Sequence, residues 1–116
     1  MLKVIIAGSR GFNDFDLLKS FCDSTLKGRS GIEVVSGNAN GADKLGERYA
    51  EERGFPVKRF IADWGKFGLA AGPKRNAQMA EYGDILIAFW DGKSAGTRSM
   101  IRLAKKHNRP VFVCQL

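Results

Sequence analysis

Residues 85–97, ILIAFWDGKSAGT, give the clearest indication of how the chain folds. The first six of these residues form an unbroken apolar run, whereas a strand with one solvent-exposed face would alternate apolar and polar side chains. An unbroken run is typical of a strand that is covered on both faces, as in a parallel sheet. The glycine-rich remainder leads directly into a helical pattern. The stretch therefore predicts one strand-to-helix unit of a parallel α/β sheet.

The same alternation of strand and helix patterns extends through the whole chain. Apolar runs rich in β-branched residues predict strands over residues 3–7, 32–36, 57–61, 84–90 and 110–114. Four helical patterns lie between them, each with a residue that marks its start and one that marks its end. These residues are Asn13 or Asp14 and Gly28 for the first helix, Ala42 and Gly54 for the second, Gly72-Pro73 and Gly83 for the third, and Thr97 and Asn108 for the fourth. We predict a single domain over residues 1–116, a doubly wound α/β sandwich with a five-stranded, mostly parallel sheet and helices on both faces.

The composition excludes several classes of protein. The longest apolar run, residues 85–90, is far shorter than the ~20 residues needed to cross a bilayer. Residues 1–7 are too few to hold the apolar core of a secretory signal, so we expect no membrane association and a cytoplasmic location. Cys22, Cys114 and the single His107 lack the spacing of a zinc site, which predicts no metal and two buried thiols.

The charge balance is strongly basic. Lys and Arg number 19 against 12 Asp and Glu, which gives a net charge of +7. This excess fits an anionic partner, either a nucleotide or a nucleic acid, but a positive surface is also a common device for solubility. Charge alone does not choose among these alternatives.

Three glycine-rich turns each follow a predicted strand and open a helix. They read GSRGF at residues 8–12, SGNANGAD at 36–43 and DGKSAGTR at 91–98. In open parallel sheets these turns meet at one edge, where backbone amides and helix N-termini bind anions. They predict a phosphate-sized pocket, although glycines also serve simply to make short turns. The P-loop and the dinucleotide fingerprint are absent, so ATP hydrolysis and NAD-dependent oxidoreduction are not indicated.

Two cations, Lys74 and Arg75, stand at the start of the third predicted helix, where a positive charge is unfavourable unless an anion compensates. The irregular stretch before them, residues 62–72, carries Trp64, Phe67 and Leu69, which either fold back on the core or serve function. The ligand is predicted to be bound by Gly8, Ser9, Arg10, Ser36, Gly37, Asn38, Gly41, Ala42, Asp43, Trp64, Lys74, Arg75, Asn76, Ser94, Gly96, Thr97 and Arg98.

Candidates for catalysis are few. Asp43 and Glu47 lie one helical turn apart and are the predicted catalytic carboxylates, although Asp43 in a first turn also stabilises the helix dipole. The serines of the three turns have no histidine near them in sequence, and His107 lies near the end of the last helix. A Ser-His-Asp nucleophile is therefore not predicted.

The ordered motifs resemble a known family. Gly8-Ser9-Arg10, the 36–43 turn, Ala62-Asp63-Trp64, Gly72-Pro73-x-Arg75-Asn76 and Gly96-Thr97 occur in the order seen in the YspA-like, cpYpsA-related branch of the SLOG superfamily. The resemblance implies a Rossmann-like fold and a nucleotide pocket. Relatives include the LOG-type phosphoribohydrolases, the DNA-binding DprA proteins and sensor modules for nucleotide-derived signals. Met100 stands where the phosphoribohydrolases carry a catalytic glutamate.

The residues and the resemblance together predict three functions. The leading one is a sensor or binding module for a phosphorylated nucleotide-derived ligand, such as a nucleotide, ADP-ribose or an NAD-like compound, with no cofactor required. The alternative is a nucleotide N-glycosidase that uses Asp43 or Glu47, because Met100 cannot transfer a proton. The third is DprA-like binding of nucleic acid. The resemblance also makes self-association, as a homo-oligomer, an expectation.

Overall fold

The computed structural model describes all 116 residues and contains one five-stranded sheet in which every strand pair is parallel. The strands are β1 (Leu2–Gly8), β2 (Ile32–Ser36), β3 (Val57–Arg59), β4 (Ile85–Trp90) and β5 (Val111–Gln115). The helices are α1 (Phe15–Thr25), α2 (Ala42–Arg53), α3 (Trp64–Phe67), α4 (Ala71–Tyr82) and α5 (Ala95–Lys106). Across the sheet the strands lie in the order β3-β2-β1-β4-β5.

Successive residues of the central strands supply two separate cores, one on each face of the sheet. Val4 and Ile6 of β1 pack with α1 and α2, whereas Ile5 and Ala7 pack with α4 and α5. A strand sends successive side chains to opposite faces, so a strand between two helical layers needs apolar residues at every position. This is why the runs are unbroken, and the predicted α/β sheet with helices on both faces is confirmed.

The strand order opens a crevice at the carboxyl edge of the sheet. β1 and β4 are neighbours, with Gly8 beside Phe89 at their carboxyl ends. The helix that follows β1 belongs to the core on one face, and the helix that follows β4 belongs to the core on the other. The two loops therefore leave the sheet in opposite directions, and ligands of such folds bind in the gap between them.

Some predicted ends of elements differ from the structure. Asp14 caps α1 as predicted, since the Leu17 N–H donates to its Oδ1 at 3.0 Å. The prediction that Thr97 caps the last helix is wrong, because α5 begins at Ala95 and the Thr97 side chain is buried inside it. β3 ends at Arg59 rather than at residue 61, since this edge strand pairs with β2 alone, over three residues.

The segment between β3 and α4 is irregular only over residues 60–63; the rest forms the single-turn helix α3 and a 3₁₀ turn, Gly68–Ala70. Trp64 is 49% exposed, Phe67 39% and Leu69 93%. The alternative that these side chains fold back on the core is therefore wrong. Their exposure leaves apolar surface beside the carboxyl edge of the sheet.

None of the helices is both long and apolar enough to span a bilayer. No group of three or more His, Cys, Asp or Glu side chains is placed to hold a metal ion. Both cysteines are free; Cys22 is buried as predicted, but Cys114 is only half-buried because it lies on the edge strand β5. Burial raises the pKa of the Cys22 thiol to about 12, so this thiol is unreactive at neutral pH.

Candidate functional site

A cleft of about 770 Å³ lies at the carboxyl edge of the sheet, between the loop after β1 and the loop after β4. Pockets for small molecules commonly have volumes of roughly 300–1,000 Å³. The predicted ligand-binding residues that line the cleft are Gly8, Ser9, Arg10, Asp43, Arg75, Asn76, Ser94, Gly96 and Thr97. The first and third glycine-rich turns thus meet, as the position of their strands predicts.

Two glycines allow the loops around the cleft to approach closely. A Cβ added to Gly8 would lie 2.3 Å from the Phe89 carbonyl oxygen on the neighbouring strand. Gly41 has a φ of +80°, and a Cβ there would lie 2.4 Å from the carbonyl oxygens of Ser9 and Arg10. Neither position accepts a side chain without movement of the backbone. Gly41 and the buried Ala42 do not line the cleft, so their place in the fold is explained by close packing.

Asp91 fixes the loop after β4. Its Oδ1 accepts from the Lys93 and Ser94 N–H groups at 2.8 Å, and its Oδ2 accepts from the Ser94 hydroxyl at 3.0 Å. The Ser94 hydroxyl also lies 3.1 Å from the Ser9 hydroxyl, which in turn accepts from the Asp91 N–H. The backbone donors hold the pKa of Asp91 below its usual range. The loops after β1 and β4 are therefore joined by hydrogen bonds.

The first turn of α5 opens on the cleft. Ala95, Gly96 and Thr97 line it, and no side chain caps the helix. A Cβ added to Gly96 would meet no atom within 4 Å. Amides in the first turn of a helix have no acceptor within the helix, and the helix dipole makes that end positive. The turn thus presents donors and positive potential to whatever occupies the cleft.

A chain of hydrogen bonds through Arg75 connects the loop after β2 with α4 and with the first turn of α5. Its Nη1 donates to the Gly37 carbonyl at 2.6 Å, and its Nε donates to Asn76 Oδ1 at 3.0 Å. The Asn76 amide then donates to the Gly96 carbonyl at 3.4 Å. Nη2 of Arg75 and the whole guanidinium of Arg10 have no acceptor in the protein. Two arginines with free donors therefore line the cleft.

Asp43 is the buried carboxylate of the cleft, with 6% of its surface exposed. Its Oδ2 accepts from the Ala39 N–H at 3.3 Å, and Oδ1 has no protein donor. Burial raises the pKa of Asp43 to about 6, and this effect outweighs the opposing Ala39 hydrogen bond and the charge of Arg75. The Arg75 and Asp43 side chains both lie against the Cα of Gly37, but they do not form an ion pair. The cleft thus holds a carboxyl group that titrates near neutral pH.

Glu47, the other predicted catalytic carboxylate, lies outside the cleft. Its Oε2 accepts from the Ser36 hydroxyl at 2.6 Å, and its Oε1 accepts from Arg59 at 3.0 and 3.1 Å. The Ser36 hydroxyl in turn accepts from the Asn38 N–H at 3.0 Å. These contacts hold the loop after β2. Ser36 and Glu47 are thereby engaged in the fold and are not free toward a ligand.

Several other predicted residues also lie outside the main cleft. The ammonium of Lys74 lies 4.8 Å from the centre of the Phe67 ring, on the solvent side of α4. Arg98 turns back to donate to the Gly92 carbonyl and lies beside Trp90. Of the two cations at the start of α4, only Arg75 reaches the cleft. Gly37, Asn38 and Trp64 line a second, smaller hollow beside it.

An apolar wall completes the cleft, and most of it could not be read from the sequence. It consists of Leu17, Met79, Met100 and Leu116. Of these four residues, the sequence draws attention only to Met100, because it stands where the phosphoribohydrolases carry a glutamate. Leu17 and Leu116 look like ordinary surface residues of a helix and a chain end. They meet only because α1 and the end of β5 flank the same crevice.

The strand order, the helices on both faces and the position of the cleft define a Rossmann-like α/β domain with a cleft at its carboxyl edge. The sequence model of the YspA, cpYpsA-related SLOG family, called YAcAr, matches residues 2–67. The chain belongs to this family. The resemblance predicted from the ordered motifs is thereby confirmed.

Two individual proteins are similar to this chain. Gene 61 protein of Mycobacterium phage D29 is 37% identical over 119 aligned residues, which cover 97% of this chain and 95% of that protein. The structure of DNA processing protein A (DprA) from Streptococcus pneumoniae matches 97% of this chain with a TM-score of 0.79 and 18% identity. This chain spans 50% of the length of that DprA chain. At such low identity the likeness shows the fold alone.

Proposed function

We propose that the cleft binds a phosphorylated nucleotide-derived ligand and that the chain acts as a binding or sensor module. The observation that carries this proposal is the uncapped first turn of α5, which lines the cleft together with Arg10 and Arg75. Backbone donors at a helix N-terminus and free guanidinium groups are the partners that phosphate oxygens prefer. The phosphate lies against Gly96 and Thr97 in this arrangement.

The rest of the cleft suits a nucleoside. The free Oδ1 of Asp43 accepts from a ribose hydroxyl, which is the role of an acidic residue in many nucleotide sites. The apolar wall of Leu17, Met79, Met100 and Leu116 offers a surface for a flat nucleobase. Polar groups at one end and apolar groups at the other match a ligand with one charged and one aromatic part.

Calorimetry with AMP, ADP-ribose, NAD and cyclic AMP tests the proposal. At least one of these compounds is expected to bind, with competition by inorganic phosphate because the phosphate site is shared. The absence of heat and of competition with all four at millimolar concentration would overturn the proposal. The enzyme alternative does not interfere with this measurement if the compounds are recovered and checked for cleavage afterwards.

Gly96→Val is expected to weaken binding of the ligand found in this way at least tenfold. The glycine lies in open space at the mouth of the cleft, so the valine side chain blocks the approach to the α5 amides while the fold stays intact. The control is Arg102→Val on an exposed position of the same helix, which also introduces a β-branched residue. Calorimetry and the melting temperature of both variants separate blocked binding from a damaged helix. Equal affinities in the two variants would contradict the placement.

The position of Asp43 favours a second candidate function, hydrolysis of the N-glycosidic bond of a nucleotide. A carboxyl group with a pKa of about 6 exchanges protons readily near neutral pH. Against this, the buried Met100 side chain lines the cleft and cannot transfer a proton. We therefore expect AMP to remain intact after prolonged incubation, as measured by chromatography. Release of adenine that Asp43→Asn abolishes would instead establish the hydrolase.

A further inference from the structure

A second hollow of about 310 Å³ lies beside the main cleft. Arg10, Ala39 and Arg75 line both spaces and thus form the wall between them. On its far side the hollow is closed by Ile61 and Trp64 from the segment that follows β3. A ligand that lies against this wall can therefore reach into both spaces.

The Trp64 ring lies at the hollow because Gly72 of α4 has no side chain and leaves room for it. A Cβ added to Gly72 would lie 3.2 Å from Cη2 of the Trp64 ring and 4.0 Å from Nη2 of Arg75. The indole and the guanidinium are therefore neighbours across the first turn of α4. The ring is still 49% exposed, so core packing does not account for its position. An exposed tryptophan beside an arginine is a stacking surface for a planar group.

The wall between the two spaces suits a bridging phosphate. Two of the three nitrogens of the Arg75 guanidinium donate to Gly37 and Asn76, which fixes the group in place. The third, Nη2, has no acceptor in the protein, and neither has Arg10. Arg75 is thus a fixed donor and Arg10 a free one, and two guanidinium groups that line both spaces suit an anion that links two parts of one ligand.

We propose that the second hollow binds a second nucleobase, stacked on Trp64 and joined through phosphate to the nucleoside in the main cleft. The inference rests on the proposed function and specifies its ligand as two nucleosides connected by a phosphate bridge. This chemistry occurs in free pyrophosphate-linked dinucleotides and in the strand of a nucleic acid. Stacking on one aromatic side chain changes affinity by roughly five- to 150-fold, largely independently of which base is stacked.

The test compares ligands with one and with two bases on the wild-type chain and on Trp64→Ala. The probes are AMP, a pyrophosphate-linked diadenosine, a 5′-phosphorylated deoxyadenosine dinucleotide and a 20-nucleotide single strand of DNA. At least one two-base probe is expected to bind about tenfold more tightly than AMP, and Trp64→Ala removes this gain while AMP binding changes less than twofold. Trp64→Phe, which keeps a ring, restores most of the gain. Leu69→Ala, a change of an exposed side chain outside the hollow, is the matched control and leaves every affinity unchanged.

The outcomes show which kind of two-base ligand binds and whether a second base binds at all. A gain for the diadenosine alone identifies a free dinucleotide, whereas a gain for the deoxy dinucleotide and the long strand identifies a nucleic acid. Equal affinity for AMP and all two-base probes overturns the inference while the proposed function stands. Loss of affinity for AMP and two-base probes alike in Trp64→Ala also overturns it. If AMP, ADP-ribose, NAD and cyclic AMP all fail to bind the wild-type chain, the proposed function itself falls.

Discussion

Replacing Arg75 with alanine is expected to weaken nucleotide binding by about a hundredfold, the loss that accompanies removal of a fixed charge-assisted contact with phosphate. Arg75 lines both the cleft and the second hollow, and its Nη2 is free to donate. The substitution also leaves the Gly37 carbonyl without its side-chain donor. It further raises the pKa of Asp43, because the opposing positive charge is gone. Calorimetry with AMP measures the loss.

The matched control for this prediction is the adjacent residue. Lys74→Ala removes the same charge one position earlier in α4, but the Lys74 ammonium lies over Phe67 and outside both spaces. We expect Lys74→Ala to change the affinity no more than about twofold at physiological salt, because exposed charges at a distance are screened. Similar losses in both variants would mean that the basic surface attracts nucleotides by net charge. In that case Arg75 would have no specific part in the site.

Asp43→Asn is expected to stabilise the ligand-free protein by about 3 kcal/mol at pH 8 and to leave its stability unchanged near pH 3. The pKa of Asp43 is about 6 in the folded protein and 3.8 for an unperturbed aspartate. Below both values the carboxyl is protonated in the folded and unfolded states and contributes nothing. Between pH 4 and 6 the unfolded state ionises first, so the free energy of unfolding falls and stays lower above pH 6. Asparagine cannot ionise and avoids this loss.

Chemical unfolding of the two proteins at several pH values measures this difference. Asp91→Asn supplies a control of opposite sign, since the pKa of Asp91 is lowered in the folded protein by the amides that it accepts from. Its replacement is expected to destabilise the protein at neutral pH. The same Asp43→Asn variant should bind nucleotides more weakly, because asparagine has one acceptor oxygen instead of two and the Ala39 N–H already needs it. If the variant is more stable but binds nucleotides with unchanged affinity, burial does raise the pKa of Asp43, but Asp43 does not contact the ligand.

The sequence predicted the site better for some turns than for others. The turns after β1 and β4 both line the cleft, because their strands are neighbours at the crevice. The turn after β2 contributes mainly Asp43 and Ala39, since β2 lies on the side of β1 away from β4. All three turns have similar glycine content, so composition alone could not separate them. Strand order is a tertiary property, and it decides which loops face one another.

The charged residues show the same limit. Lys74 and Arg75 stand side by side in the sequence, yet a helix turns successive side chains by about a quarter of a circle, and only Arg75 points to the cleft. The Arg98 guanidinium donates to the Gly92 carbonyl in the loop just before α5 and does not reach the cleft. Composition does not reveal either outcome, because the Arg75 acceptor Gly37 comes from a distant loop and the Arg98 acceptor becomes available only through the fold of the loop before α5.

Unbroken apolar runs, glycine positions and capping residues fix local conformation, and local conformation was enough to predict the parallel α/β sheet and the edge at which the cleft lies. Those features follow from strand periodicity and backbone sterics, which act over a few neighbouring residues. The raised pKa of Asp43, the wall shared by Arg10 and Arg75, and the place of Trp64 were decided only by the tertiary structure. Burial and charge depend on which distant segments pack together, and that packing brings residues 10, 43, 64 and 75 to one place.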